Sequence, residues 1–153
     1  MVPRSTARRS DPLRLFRILF ADRAEAALEA VQAPEGRFHH DGQPALYAGL
    51  SPEAARASIT RYRRPDDPPR VLVELLWSGP SLPEITDRVT RHRWDHDRMT
   101  GRVPPTWTLA DRLRAEGHAG FLYPPRLRPD LRNAVLFSWR GVLQPGAVHP
   151  CPV

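Results

Sequence analysis

GRFHHDGQPALYAGLSPE, residues 36–53, is the stretch on which the fold turns. Its glycine, aspartate and proline residues break the first half into a loop. ALYA at 45–48 then reads as a short strand. Ser51, Pro52 and Glu53 follow as a helix start: serine accepts from the first free amides, proline fits the first turn, and glutamate favours the positive end. The helix is expected to run to about Tyr62, before PDDPP at 65–69 forces a turn.

Outward from this stretch, short elements alternate. LRLFRILF at 13–20 alternates well enough for a strand, with Arg14 and Arg17 towards its exposed side. Ala27, Leu28 and Val31 fall at helical spacing, which predicts a short helix within 21–33, stopped by PEG at 34–36. VLVELLW at 71–77 reads as a buried strand. Residues 81–104 leave two readings open, a helix from Ile85 to Trp94 or a strand closing into a loop at SLPEITD. Thr108 and Asp111 resemble a capping box before LADRLRAEG, with Gly117 as the helix stop. GFLY at 120–123 and AVLFSW at 134–139 supply two more strands. Strands interspersed with few helices, and eighteen prolines that favour short elements, predict an α+β fold with a mixed or antiparallel sheet. The expected organisation is a disordered tail over 1–10, one domain over 11–145, and a Pro-rich end over 146–153.

An apolar share of 41% and a charged share of 26% are those of an ordinary globular domain. The net charge is +6, but all 23 basic residues are arginine and Asn133 is the sole asparagine, which fits a G- and C-rich coding bias. The charge is scattered, with tight groups only at Arg61, Arg63 and Arg64 and at Arg88, Arg91 and Arg93. No recognition motif accompanies it, so direct nucleic-acid binding is not expected. A single cysteine, Cys151, excludes an internal disulfide and suits a reducing compartment. Arg14 and Arg17 interrupt the one N-terminal apolar stretch, and no run approaches the ~18 residues that span a bilayer. A cytoplasmic, bacterial protein is the expectation.

The motifs that suggest chemistry are few. His92 and His96, with Asp95 beside the second, have metal-ligand spacing, but Arg93 stands where a zinc protease places glutamate and no third ligand completes the set. No metal is expected there. His39, His40 and Asp41 are adjacent, and neighbours in an extended chain point opposite ways, so no dyad is expected. Trp77, Trp94, Trp107 and Trp139 show no stacking pattern and read as core or rim. Arg37 and Tyr47 remain: a guanidinium fork for phosphate oxygens, then an aromatic face on a short strand.

GRFHHDGQPALYAGLSPEAA resembles the opening motif of RES domains, and PPRVLVELL, PPTWTLADRLRAEGHAGFLYP and RPDLRNAVLFSW agree with later parts of that family in order. The resemblance covers residues 12–140. It implies a fold similar to ADP-ribosyltransferases and the role of a toxin neutralised by an antitoxin with an Xre-type DNA-binding domain. It also implies cleavage of NAD+ at the nicotinamide ribose, with water, phosphate or a protein as acceptor. Arg37 and Tyr47 match the family's catalytic arginine and tyrosine, and Phe38, Ser58 and Arg126 join them as expected NAD contacts. Two positions depart from the pattern. Ser58 stands where the family has glutamate, and Pro125 where it has serine. Glu53 and Glu74 are the alternative carboxylates, the first read as a helix cap and the second as a strand residue.

Overall fold

A computed structural model describes residues 12–151. The tail expected over 1–10 lies outside these residues. Six strands form one sheet in the order β4-β5-β2-β1-β3-β6, with every pairing antiparallel. They are β1 (Leu13–Phe20), β2 (Leu46–Gly49), β3 (Arg70–Trp77), β4 (Gly120–Tyr123), β5 (Asn133–Leu136) and β6 (Leu143–Pro150), with helices α1 (Pro52–Ile59), α2 (Trp94–Met99) and α3 (Pro105–Ala115). This is the expected α+β class with an antiparallel sheet.

Strand alternation explains the two faces. Leu15, Leu46, Ala48, Val73, Leu75, Ala134 and Leu136 project to one side and form one buried cluster. The intervening residues project to the other. There Leu109 and Leu113 of α3 pack on Phe38, Phe121, Tyr123 and Val135, and Ala55 of α1 packs on Phe16 and Leu72. Both helices therefore cover the same face.

The sheet is stitched unevenly. β1 and β3 pair along their full lengths, from Leu13 opposite Trp77 to Phe20 opposite Arg70, whereas β1 and β2 meet only at Phe16 opposite Gly49. Elsewhere β1 and β2 are unpaired with each other, and both line a cavity, through Phe16, Ile18 and Leu19 on one side and Tyr47 and Gly49 on the other.

Several elements differ from the sequence expectations. Residues 21–33 form only a six-residue 3-10 segment, Ala21–Ala26, followed by turns, because Arg17 donates to the carbonyls of Ala27 and Glu29 (both 2.8 Å) and draws this chain into a loop. Residues 83–85 settle as a strand-like edge: Leu122 donates to the Pro83 carbonyl and Ile85 to the Leu122 carbonyl, both at 2.8 Å. Helical turns follow only at Arg88–Arg91 and in α2. α3 begins at Pro105, and no side chain caps it, so Thr108 and Asp111 are not a capping box. Gly117 does end it, at φ 88°. The Pro-rich end that begins at residue 146 supplies the second half of β6, up to Pro150, paired to β3. β6 is an edge strand, where Pro145 and Pro150 interrupt no inner ladder.

Candidate functional site

The cavity, of about 600 Å³, takes its walls from β1 and β2, from α1, from the 33–39 segment and from the loop after β4. That size suits a small organic ligand. Arg37, Tyr47, Ser58, Pro125 and Arg126 all line it. Phe38 does not. It is fully buried, edge-on to Phe121 and Tyr123 at 4.8 and 4.6 Å, because it alternates with Arg37 and points into the core under α3. Phe38 therefore anchors the segment instead of meeting a ligand.

Tyr47 is fixed by a short hydrogen-bond chain. The Nε2 of His39 lies 2.9 Å from the Ala33 carbonyl, which only accepts, so Nε2 carries the hydrogen and Nδ1 is bare. The Tyr47 hydroxyl donates to that Nδ1 at 2.8 Å and accepts from the Phe38 amide at 3.0 Å. Burial pushes the Tyr47 hydroxyl above its ordinary range and pulls the His39 imidazole below its own, against the Ala33 hydrogen bond that favours the charged ring. Both groups are neutral, and the one hydrogen of the hydroxyl is committed to His39. What Tyr47 offers a ligand is its ring.

His39 is thus a site residue that local spacing did not reveal. His39→Leu leaves the Tyr47 hydroxyl hydrogen without its acceptor and the Ala33 carbonyl without its donor, and is expected to destabilise by about 2–4 kcal/mol, read as a lower urea midpoint at unchanged slope. Its neutral burial also has a pH sign. The unfolded ring binds a proton more readily than the folded one, so this contribution is present above about pH 6.5 and is lost as pH falls towards the depressed value.

The electrostatics are cationic. Arg17, Arg37, Arg61, Arg126 and Arg128 line the cavity, and among the described residues Glu35 is its one carboxylate, turned to Arg98 at 3.1 Å. Burial and the nearby Arg23 lower Arg17 to about 10, which leaves it charged at neutral pH. Arg17 is committed to backbone carbonyls, Arg128 to Glu53 and Asp130, and Arg61 to the Tyr62 hydroxyl. Arg37 and Arg126 make no hydrogen bond or ion pair with a described residue and are available to an anion.

Ser58 lies in the last turn of α1. Its hydroxyl donates to the Ala54 carbonyl at 3.1 Å and accepts from the Asn133 side-chain amide at 2.9 Å. Neither Glu53 nor Glu74 lines the cavity. Glu53 pairs with Arg128 at 3.0 Å, while the Ser51 hydroxyl caps the helix by accepting from the Ala54 amide, also at 3.0 Å. Glu74 is held by Arg14 and His149, each at 2.7 Å, away from the cavity lining.

The adjacency of His39, His40 and Asp41 behaves differently from the extended-chain expectation. Asp41 has φ 53°, the one positive value at a non-glycine among the described residues, and this turn brings its carboxylate to 2.8 Å from the His40 Nδ1. His92 sits 2.6 Å from the buried Asp97 carboxylate. Among the described residues, no group of three or more His, Cys, Asp or Glu side chains is placed to hold a metal ion. None of the described helices is long and apolar enough to cross a membrane. Trp77 and Trp107 are buried, and Trp94 lines the cavity.

Comparison with known proteins bears on this geometry. No curated protein matches the chain. The fold is similar to a chain in the crystal structure of the M. tuberculosis MbcT–MbcA toxin–antitoxin complex, with a TM-score of 0.63 over 94% of this chain and 88% of that one, at 16% identity. The sequence profile of the RES domain matches residues 14–150, which takes in every described strand and helix except the first residue of β1. The cavity lined by β1 and β2 therefore belongs to a RES domain, and the chain is a member of that family.

Proposed function

We propose that the cavity binds NAD+ and that the protein is the toxin of a toxin–antitoxin pair, acting by cleavage of the nicotinamide–ribose bond. One observation carries the reading: Arg37 and Arg126, whose guanidinium groups have no hydrogen-bond or ion-pair partner among the described residues, share a cationic cavity of about 600 Å³ with the immobilised Tyr47 ring. The arginines suit the diphosphate, and the ring suits the nicotinamide or its ribose. Holding the dinucleotide by both parts favours the bent geometry in which the glycosidic bond loosens towards an oxocarbenium ion. Family membership and the toxin–antitoxin context of the similar fold support an antitoxin partner, in this reading one with an Xre-type DNA-binding domain. The cytoplasm is the compartment where NAD+ and such a partner meet.

A second reading has its own support. Ser58 and Pro125 supply no charge to a developing cation, and Ser58 is occupied by Asn133. The protein in that case binds NAD+ and a partner without efficient turnover. Purified protein, assayed for NAD+ binding by calorimetry and for nicotinamide release in parallel, separates the two. Arg37→Ala is expected to weaken NAD+ binding about 10- to 100-fold, since a hydrogen bond to a charged group contributes about 1.5–3 kcal/mol. Release that Arg37→Ala suppresses supports cleavage. Saturable binding without release supports the second reading, and absence of binding refutes both.

A further inference from the structure

We infer that His40 is a positioning residue whose charged ring latches the Arg37 segment onto α3, so that NAD+ binding weakens as this ring loses its proton. The inference rests on the reading of Arg37 as an NAD+ ligand.

The latch is visible in the spacing of α3. Trp107, Asp111 and Arg114 stand at i, i+4 and i+7, one face of the helix. The Trp107 Nε1 donates to the Gly36 carbonyl at 2.7 Å, and Arg114 donates to the Phe38 carbonyl at 2.9 Å. Arg37 is therefore flanked by two peptide carbonyls that α3 holds. Asp111 completes the face. One of its oxygens is 2.7 Å from the His40 Nε2, and the other accepts from the Gln43 side chain at 3.0 Å and from Arg114 at 3.2 Å. The His40 ring also stacks on Trp107, with centroids 4.7 Å apart and planes 20° apart. The ring thus touches the same indole that holds Gly36.

Both ring nitrogens of His40 face carboxylate oxygens, Asp41 at 2.8 Å and Asp111 at 2.7 Å. A carboxylate only accepts, so both nitrogens must carry hydrogens and the ring is an imidazolium. The groups that face it are Asp41 from its own loop and Asp111 from α3. Arg114 stands nearby, paired to the other Asp111 oxygen at 3.2 Å, and His39, next in the chain, is neutral. Burial opposes the charge, and the hydrogen bonds to Asp111 and Asp41 outweigh it, so the ring is held above the ordinary histidine range. The Asp41 side chain is 85% exposed, so the Asp111 arm carries more of the hold. With a raised folded value, the latch is complete below about pH 6.5 and is lost as pH rises through that raised value. The diphosphate of NAD+ does not titrate between pH 6 and pH 9, and Arg17, lowered to about 10, keeps most of its charge across that range.

The test is an NMR titration of the histidine rings and of the Arg37 and Phe38 amides in the free protein, alongside NAD+ affinity by calorimetry from pH 6 to pH 9. The His40 ring is expected to titrate above the ordinary histidine range, with the Arg37 amide shift following the same curve. Asp111→Asn is expected to lower that midpoint. NAD+ affinity in the wild type is expected to fall about five- to tenfold across the range, because only part of the charge-assisted His40–Asp111 hydrogen bond is transmitted to the Arg37 segment. His40→Gln, which keeps a donor but no charge, is expected to bind weakly and without this pH dependence. A His40 ring that is already neutral at pH 6 overturns the inference, as does an Arg37 amide indifferent to the His40 titration. Affinity that stays flat in the wild type while His40 titrates overturns it too. If NAD+ binds at no pH, the reading of the cavity fails, and the amide titration still decides whether the latch exists.

Discussion

Ser58→Glu is expected to raise nicotinamide release from NAD+ by about 10²–10³-fold, the largest gain any single substitution in this cavity offers. Ser58 lines the cavity from the last turn of α1, and its hydroxyl is spent on the Ala54 carbonyl and the Asn133 amide. Nothing there carries negative charge, and Glu35, the one carboxylate of the lining, is turned to Arg98. A group that stabilises charge only in the transition state contributes about 2.7–4 kcal/mol. A new carboxylate near a helix C-terminus costs about 0.3–1 kcal/mol in return. The balance favours the charge, and the Asn133 amide that now serves Ser58 is placed to orient it. Because the benefit is confined to the transition state, kcat is expected to rise while KM changes little. A variant that binds NAD+ like the wild type yet releases nicotinamide no faster would show that the missing carboxylate is not what limits turnover.

The sequence made the fold class legible through its strongest local signals. The apolar run that became β3, the serine–proline–glutamate start of α1 and the glycine stop of α3 are each decided within a few residues. β6 was not legible, because proline argues against a strand unless the strand lies at an edge, and edge position is a property of the whole sheet. The 21–33 segment failed as a helix for a related reason. Arg17, on β1, supplies the hydrogen bonds that its backbone takes outside a helix.

The cavity was half legible. Arg37, Tyr47, Ser58 and Arg126 do converge on it, from the first loop, β2, α1 and the loop after β4. Phe38 was misplaced because adjacency to Arg37 says nothing about which way each side chain turns. The supporting groups were hidden by distance along the chain. His40 meets Asp111, and Ser58 meets Asn133, across more than seventy residues. One signal was available: Trp107, Asp111 and Arg114 share a helical face, although Asp111 read locally as part of a cap.

Gly36→Ala is expected to be as damaging as any substitution in the loop, and its mechanism can be isolated. A Cβ on Gly36 overlaps the His39 ring at Cε1, comes within 2.8 Å of Nδ1, and lies 3.2 Å from the Tyr47 hydroxyl. The ring cannot swing aside cheaply. It is 1% exposed and is held at both nitrogens, by the Ala33 carbonyl and by Tyr47. Overpacking of about 1–3 kcal/mol and the weakening of a buried hydrogen bond together suggest a loss of about 3 kcal/mol. In a domain of this size that is a fall of roughly 6–12 °C in Tm. NAD+ binding is expected to decline with it, since the same ring fixes Tyr47 and the same glycine precedes Arg37. The double variant Gly36→Ala/His39→Ala decides the cause. With the imidazole removed, the added methyl has room, so the pair is expected to be no less stable than His39→Ala alone. Losses that simply add would place the strain in the backbone at Gly36 and not in its contact with His39.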